Sequence, residues 1–323
     1  MIKILDRMVN FIEARADITA IVQSHFPEWV PDGLVMCPFH DDTKPSLHIS
    51  PEGKAKCHSG RCDFFARNII DLFAKLEGVT YNDARWVLYG HIVRSIPDSR
   101  VEAHRKILKT KHNVLKYVRH ERRVSDHIIE LYELGYDLST NRITLPIRDQ
   151  FNVCVNIRKM AWRKKERENG KVISIKGHGE VRLFPENKVV GEDKVLLVEG
   201  EWDVLVGRTH GLPTATWTGG SGSWNDDYAW LFRDKIVFVL YDRDEAGEKG
   251  TGLVEDKLGK WASYVEVLPS PNIKGKDLSD WIRANSSYAH KLGDHIEGFE
   301  LPKVRKVKRC PYCGQEIKSE TQS

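Results

Sequence analysis

Nowhere in the 323 residues is there a run of about 18 apolar residues, the length a helix needs to cross a bilayer. The first ten residues already carry Lys3, Asp6 and Arg7, so neither a membrane span nor a secretory signal is expected. Cysteine is scarce: a set at Cys37, Cys57 and Cys62, a lone Cys154, and a close pair at Cys310 and Cys313. Such clustering is that of metal ligands, not of a disulfide-stapled secreted scaffold, and it points to a reducing, cytoplasmic compartment. No G-x-x-x-x-G-K-[ST] occurs, so no P-loop motor is expected in this chain. Internal repeats and long low-complexity tracts are missing as well.

What is present suits a soluble chain of two domains, with 41% hydrophobic and 30% charged residues. The net charge of +4 hides a segregation. Residues 100–182 hold 20 Lys and Arg against 10 Asp and Glu, whereas residues 192–300 hold 12 against 20. A basic segment beside an acidic one suits a polyanion held next to bound cations; two ordinary solvated surfaces are the plain alternative.

Apolar residues at helical spacing (Met8, Phe11, Ile12, then Ile18, Ile21, Val22) end at Pro27, Pro31 and Gly33. A cysteine/histidine unit follows, then two amphipathic stretches over 64–76 and 80–89, which together make a metal module of residues 1–90. Residues 91–112, with Pro97 and many charges, read as a linker running into a basic helix. Residues 113–192 form a basic α+β subdomain, in which 142–160 alternates as a hairpin turning near 149–152 and 163–171 is a charged loop. From 193 to 300 apolar strands (194–199, 213–217, 236–241, 264–268) alternate with helices, the pattern of a parallel α/β sheet covered on both faces. Residues 301–323 are a basic tail. The expected class is therefore a multidomain α+β and α/β protein.

Ligands of open α/β sheets bind outside the carboxyl ends of the strands, and acids stand there. Glu199 closes the apolar run V-L-L-V and opens E-G-E-W-D, which ends in Asp203; Asp242 and Asp244 follow I-V-F-V-L-Y in the segment Y-D-R-D-E-A-G. Carboxylates this close repel unless cations hold them, and hard oxygen donors favour Mg²⁺ or Mn²⁺. Helix capping is the competing role for Asp203 and Asp244. The segment K-D-L-S-D brings Asp277 and Asp280 to the same edge.

At the other end, Cys37-Pro-Phe-His40, Cys57 and Cys62 supply three thiolates and an imidazole, a closed tetrahedral set for one structural zinc ion. Cys310 and Cys313 make half of a second site, completed by His290 and His295, by a partner chain, or not at all. The loop Thr218-Gly-Gly-Ser-Gly-Ser223 offers backbone N–H groups to a phosphate. For Trp162, Trp217 and Trp224 packing is favoured over base stacking.

The run E-G-x-x-D, D-x-D-x-A-G and K-D, each after a strand, resembles the Toprim domain of primases, topoisomerases and related nucleases, a Rossmann-like parallel α/β fold. C-P-F-H-x-D-x-x-x-S with two later cysteines resembles the zinc-binding domain of bacterial and phage-type (DnaG-like) primases. L-G-Y followed by R-I-T-L-P-I-R-D resembles the basic subdomain preceding Toprim in the same proteins. The resemblance runs over residues 5–285, in the order zinc module, basic subdomain, Toprim.

It implies a catalytic role for Glu199, as acid/base or metal-bound group, and cation binding by Asp242 and Asp244, with Asp203, Asp277 and Asp280 as further metal residues. Ser279 stands where the family has a second aspartate, which leaves open whether Asp280 replaces it. Four residues separate Cys57 from Cys62 where the family has two, so His58 competes with Cys62, which is preferred.

The implied activity is a DNA primase, a DNA-directed RNA polymerase making short RNA primers on single-stranded DNA by metal-dependent nucleotidyl transfer from ribonucleoside triphosphates during replication. Arg148, Arg158, Lys159, Arg163, Lys164 and Lys165 are the candidates for contacting nucleic acid and triphosphates; for 163–165 a solvated loop is the alternative. A replicative helicase would be a partner in trans, through the tail, at the replication fork in the cytoplasm. Two other classes compete: a Toprim nuclease, and a non-catalytic single-stranded-DNA-binding replication or recombination accessory protein.

Overall fold

The computed structural model describes residues 2–220 and 222–301. The chain divides into two compact units, one reaching to Ser95 and the other starting at Ile96. Among the described residues no helix is long and apolar enough to cross a membrane.

In the first unit, α1 (Ile2–Arg15) is followed by α2 (Ile18–Gln23), which starts where the Asp17 carboxylate accepts the Ala20 N–H. Four strands then pair antiparallel in chain order: β1 (Leu34–Val35), β2 (Leu47–Ile49), β3 (Ala55–Cys57) and β4 (Phe65–Ala66). Asn68 caps α3 (Ile69–Glu77), Gly78 ends it in the left-handed region, and Thr80 caps α4 (Tyr81–Ile92). Met8, Ile12, Trp29, Leu47, Ile49, Ile69 and Leu72 are buried. Strands of two or three residues hold little by themselves, so this unit leans on its helices and on the cysteine cluster.

The second unit opens with α5 (Asp98–Thr110) and α6 (His112–Lys116), which runs into a π-helical turn at Tyr117–Glu121, and then α7 (Asp126–Leu131). The stretch read from sequence as a linker running into a basic helix is helix over α5, where Val101 and Leu108, seven apart, are both buried. An antiparallel sheet follows: β5 (Gly135–Asp137), β6 (Arg142–Arg148), β7 (Cys154–Met160) and β8 (Val172–Ile173). Its central hairpin turns at 149–153, closed by Asp149 N–H donating to the Val153 carbonyl. The charged loop contains a 3-10 turn, Lys165–Asn169.

The α/β part comprises β9 (Leu183–Phe184), α8 (Glu186–Val189), β10 (Lys194–Leu197), α9 (Glu201–Thr209), β11 (Thr214–Trp217), β12 (Ile236–Val239), α10 (Glu245–Leu258), β13 (Tyr264–Val267), α11 (Leu278–Ala284) and α12 (Ser287–Gly298). The strand order is β13-β12-β10-β11-β9, parallel except for the edge strand β9, an exception the alternation of strands and helices does not announce. All four residues of β11 and of β12 are buried: β12 is apolar throughout, and in β11 the Thr214 and Thr216 hydroxyls donate to the Val204 and Glu199 carbonyls. Val195, Leu197, Val237 and Val239 pack with Trp217, Phe232 and Leu258 into one core, and Trp224 leans on Trp217 and Phe232.

A buried ion cluster joins the hairpin turn to β9 and α8. Arg182 pairs with Glu186 at 3.1 Å and lies over the Tyr228 ring at 4.3 Å, while Glu186 accepts the Gln150 N–H at 3.1 Å. Burial pushes the Glu186 carboxyl up to about 7; the Arg182 charge opposes this and the Asp149 charge adds to it. The native state therefore keeps this proton to higher pH than the unfolded chain, and stability falls as pH rises from about 4.5 to about 7, by on the order of 3 kcal/mol. Glu186→Gln should flatten that fall when urea midpoints are compared at pH 5 and pH 7.5; an unaltered slope would show that the proton sits elsewhere.

Candidate active site and metal centre

From β10 the chain crosses to β11 on one side, and β12 returns to pair with β10 on the other, so the sheet has a switch point between β10 and β12. A crevice opens at the carboxyl ends there. Glu199 lies just past β10 and Asp242 just past β12, and the Leu240 N–H donating to the Leu197 carbonyl keeps the two ends in register. Asp244 caps α10, accepting the Gly247 N–H at 3.0 Å. A side chain at 247 would put its Cβ 2.1 Å from the Asp242 carbonyl oxygen, so glycine is what lets the helix start this close to the acid turn.

The third acid-bearing loop ends at Asp277, which caps α11 by accepting the Asp280 N–H. Lys276 Nζ lies 3.2 Å from Asp242 Oδ2 and 3.4 Å from Asp244 Oδ2. Asp203, buried in the first turn of α9, accepts both the N–H (2.9 Å) and the hydroxyl (2.5 Å) of Ser279. Burial and then the Glu199 charge push Asp242 up to about 6, against Lys276. Burial and then Asp277 push Asp203 up to about 7, with Asp242 contributing, against the Ser279 hydrogen bonds. The acids thus feel one another, and repelling hard oxygen donors at a strand edge fit divalent cations.

Asp280 turns elsewhere. Its carboxylate accepts the Lys276 N–H at 3.4 Å and pairs with Arg283 at 2.9 Å. Ser279 fills that place as a donor to Asp203, a pairing visible only once α9 and α11 are packed together.

The basic candidates separate. Arg148 is held by Glu133 and by Asp98 (2.8 Å), and buried Lys159 pairs with Asp137. Arg158 pairs with Glu201 at 2.8 Å and donates to Ser174, which ties the basic sheet to the first turn of α9. Arg163, Lys164 and Lys165 are exposed, with Arg163 4.0 Å above the Trp162 ring.

In the first unit the Cys37, His40, Cys57 and Cys62 ligand atoms all lie within 4.8 Å of one another. Cys37 and Cys62 Sγ are 3.7 Å apart, close to the ~3.8 Å that two 2.3 Å Zn–S bonds span at a tetrahedral angle and far beyond a disulfide. His40 Nε2 is 3.3 Å from Cys57 Sγ. His58 stands outside the set, and its ring faces His48 instead.

Burial pushes the Cys37 thiol up to about 12; Cys57 is also penalised by burial, but hydrogen bonds from Ser46, Ser59 and His40 bring it down to about 5. A divalent zinc ion would favour the thiolate at every position. Asp42, the aspartate of the C-P-F-H-x-D-x-x-x-S segment, braces this loop by accepting the Cys37 N–H (2.9 Å) and the hydroxyl of Ser46, the serine of that segment (2.6 Å). Cys310 and Cys313 lie outside the described residues.

No protein-family model matches the chain. A curated DNA primase of Borreliella burgdorferi is 22% identical, over 75% of this chain and 60% of its own length. The solved zinc-binding and RNA polymerase domains of the Aquifex aeolicus primase superpose with a TM-score of 0.53 at 19% identity, over 90% of this chain and 85% of that one. A DnaG primase catalytic domain bound to single-stranded DNA gives 0.50 at 16% identity, over 60% and 75%.

The fold is thus that of the zinc-binding and RNA polymerase domains of a bacterial primase. The chain spans about 52–60% of the length of the curated primases it matches.

Proposed function

We propose that this chain is a DNA primase acting on a single-stranded DNA template. The reaction is attack of a 3′-hydroxyl on the α-phosphorus of a ribonucleoside triphosphate, with pyrophosphate leaving and a short RNA primer as product. The observation that carries this reading is the meeting of three acid-bearing loops, at Glu199, at Asp242 and Asp244, and at Asp277, on the switch-point edge of the sheet.

On this reading the α/β part is a Toprim domain, in which Asp242, Asp244 and Asp277 would hold Mg²⁺ or Mn²⁺. Such cations, when bound, supply the charge that makes the hydroxyl more acidic and offsets charge growing on the phosphate. Glu199, at the strand end beside them, orients the hydroxyl or takes its proton. Asp203, clamped by Ser279, fixes α9 against the loop that carries Asp277. Arg158, braced by Glu201, and the exposed Arg163, Lys164 and Lys165 neutralise template and triphosphate.

The zinc unit selects where synthesis starts, a replicative helicase is met in trans, and the protein works at the replication fork. The DNA-bound catalytic domain that shares this fold supports the choice of template.

The test is incubation with mixed-sequence single-stranded DNA, labelled ribonucleoside triphosphates and Mg²⁺ or Mn²⁺, beside the double variant Asp242→Asn, Asp244→Asn. RNA ladders from the native chain alone are expected, with DNA binding by the variant equal or tighter. Cleaved DNA would make the protein a nuclease, and DNA binding with neither RNA nor cleavage would make it an accessory binder.

A further inference from the structure

Lys276 has an anchored backbone and an exposed side chain. The Arg243 N–H donates to its carbonyl at 2.8 Å, its own N–H donates to Asp280, and the preceding carbonyl, of Gly275, accepts the indole N–H of the fully buried Trp281 at 3.1 Å. Gly275 takes φ +124°, and a Cβ there would lie 2.4 Å from that of Asp280, so the loop can approach α11 only with glycine at this place. Beyond this anchored backbone the Lys276 side chain is 58% exposed, and its ammonium bridges Asp242 and Asp244.

An ammonium on a flexible stem, paired in contact with water, is a weakly held ion, and a divalent cation bound by the same oxygens repels it. Once displaced it stays close, because its backbone cannot leave, and the strongest anion then near it is the triphosphate of the incoming nucleotide.

We propose that Lys276 is the resident counter-ion of Asp242 and Asp244, that it yields its place to the divalent cations, and that it then contacts the phosphates of the bound nucleotide. This rests on the primase reading above.

The two halves predict shifts of opposite sign in Lys276→Met, which keeps the stem and removes the charge at an exposed position. Mn²⁺ binding to the protein alone, followed by the electron paramagnetic resonance of free Mn²⁺, should tighten about threefold to tenfold, because the tethered competitor is gone. In primer synthesis the nucleotide KM should rise about tenfold with a smaller change in kcat, as expected for a lost charged contact. Lys276→Arg should return both quantities toward native values.

Unchanged or weaker Mn²⁺ binding in Lys276→Met overturns the counter-ion role, and an unchanged KM overturns the phosphate contact. If the native chain binds no Mn²⁺ that Asp242→Asn loses, the metal site itself is wrong, and the primase reading falls before the lysine is reached.

Discussion

Asp242→Asn is expected to make the protein more stable and less active at once. In the native state this carboxyl lies next to Glu199, and burial with that charge holds it at about 6, above the 3.8 of a free aspartate. The native state thus keeps its proton to higher pH than the unfolded chain. Stability falls as pH rises from about 4 to about 6 and stays reduced above, by about 1–3 kcal/mol. Asparagine carries no charge to bury, so the variant's urea midpoint at pH 8 should exceed the native one, with the gap closing at pH 4.

Primer synthesis should drop at least about a hundredfold, since an amide is a poor ligand for a hard divalent cation. An ordinary structural aspartate gives the opposite pairing, lower stability with activity lost in proportion to the unfolded fraction, and that outcome would remove Asp242 from the site.

Cys57→Ser should be the most damaging change in the first unit. The strands there hold two or three residues each, and Cys57 ends β3 within the ligand cluster. Zinc binding to comparable small modules is worth about 10–16 kcal/mol of apparent folding free energy, more than such a sheet and its helices recover otherwise. In a background lacking Cys310 and Cys313, bound zinc should go from one equivalent to none, and proteolysis should open the region before Ser95 while the unit from Ile96 stays protected.

Cys154→Ser is the control. That thiol is buried in the other unit and pushed up to about 12 by burial, so its loss should leave the zinc content at one. A Cys57→Ser protein that retains its zinc and its protection would show that these four residues are not the ligand set.

Much of this was legible in the chain itself. Cys37 and His40 sit three residues apart in one turn, and the later cysteines follow a short hairpin. Glu199, Asp242 and Asp244 come directly after apolar strands, so their place at the strand ends depends only on where those strands stop. The hairpin at 142–160 and most α/β elements were legible for the same reason, since apolar periodicity and strand-ending residues act over a few positions. Where the linker of 91–112 passes into its basic helix was not, because α5 is mostly polar and only Val101 and Leu108 on it are buried.

What the sequence by itself determined is the donor sets and the kinds of element that carry them, because both are written in spacings of a few residues. Tertiary structure decided which side chains answer those donors. It set Lys276 against Asp242, 34 positions away, and Ser279 against Asp203, 76 away, turned Asp280 to Arg283, and drew Arg148 and Lys159 into internal pairs. A charge has no preferred sequence separation; its partner is whichever opposite charge or hydrogen-bonding group the packing of helices and strand ends brings within about 3 Å.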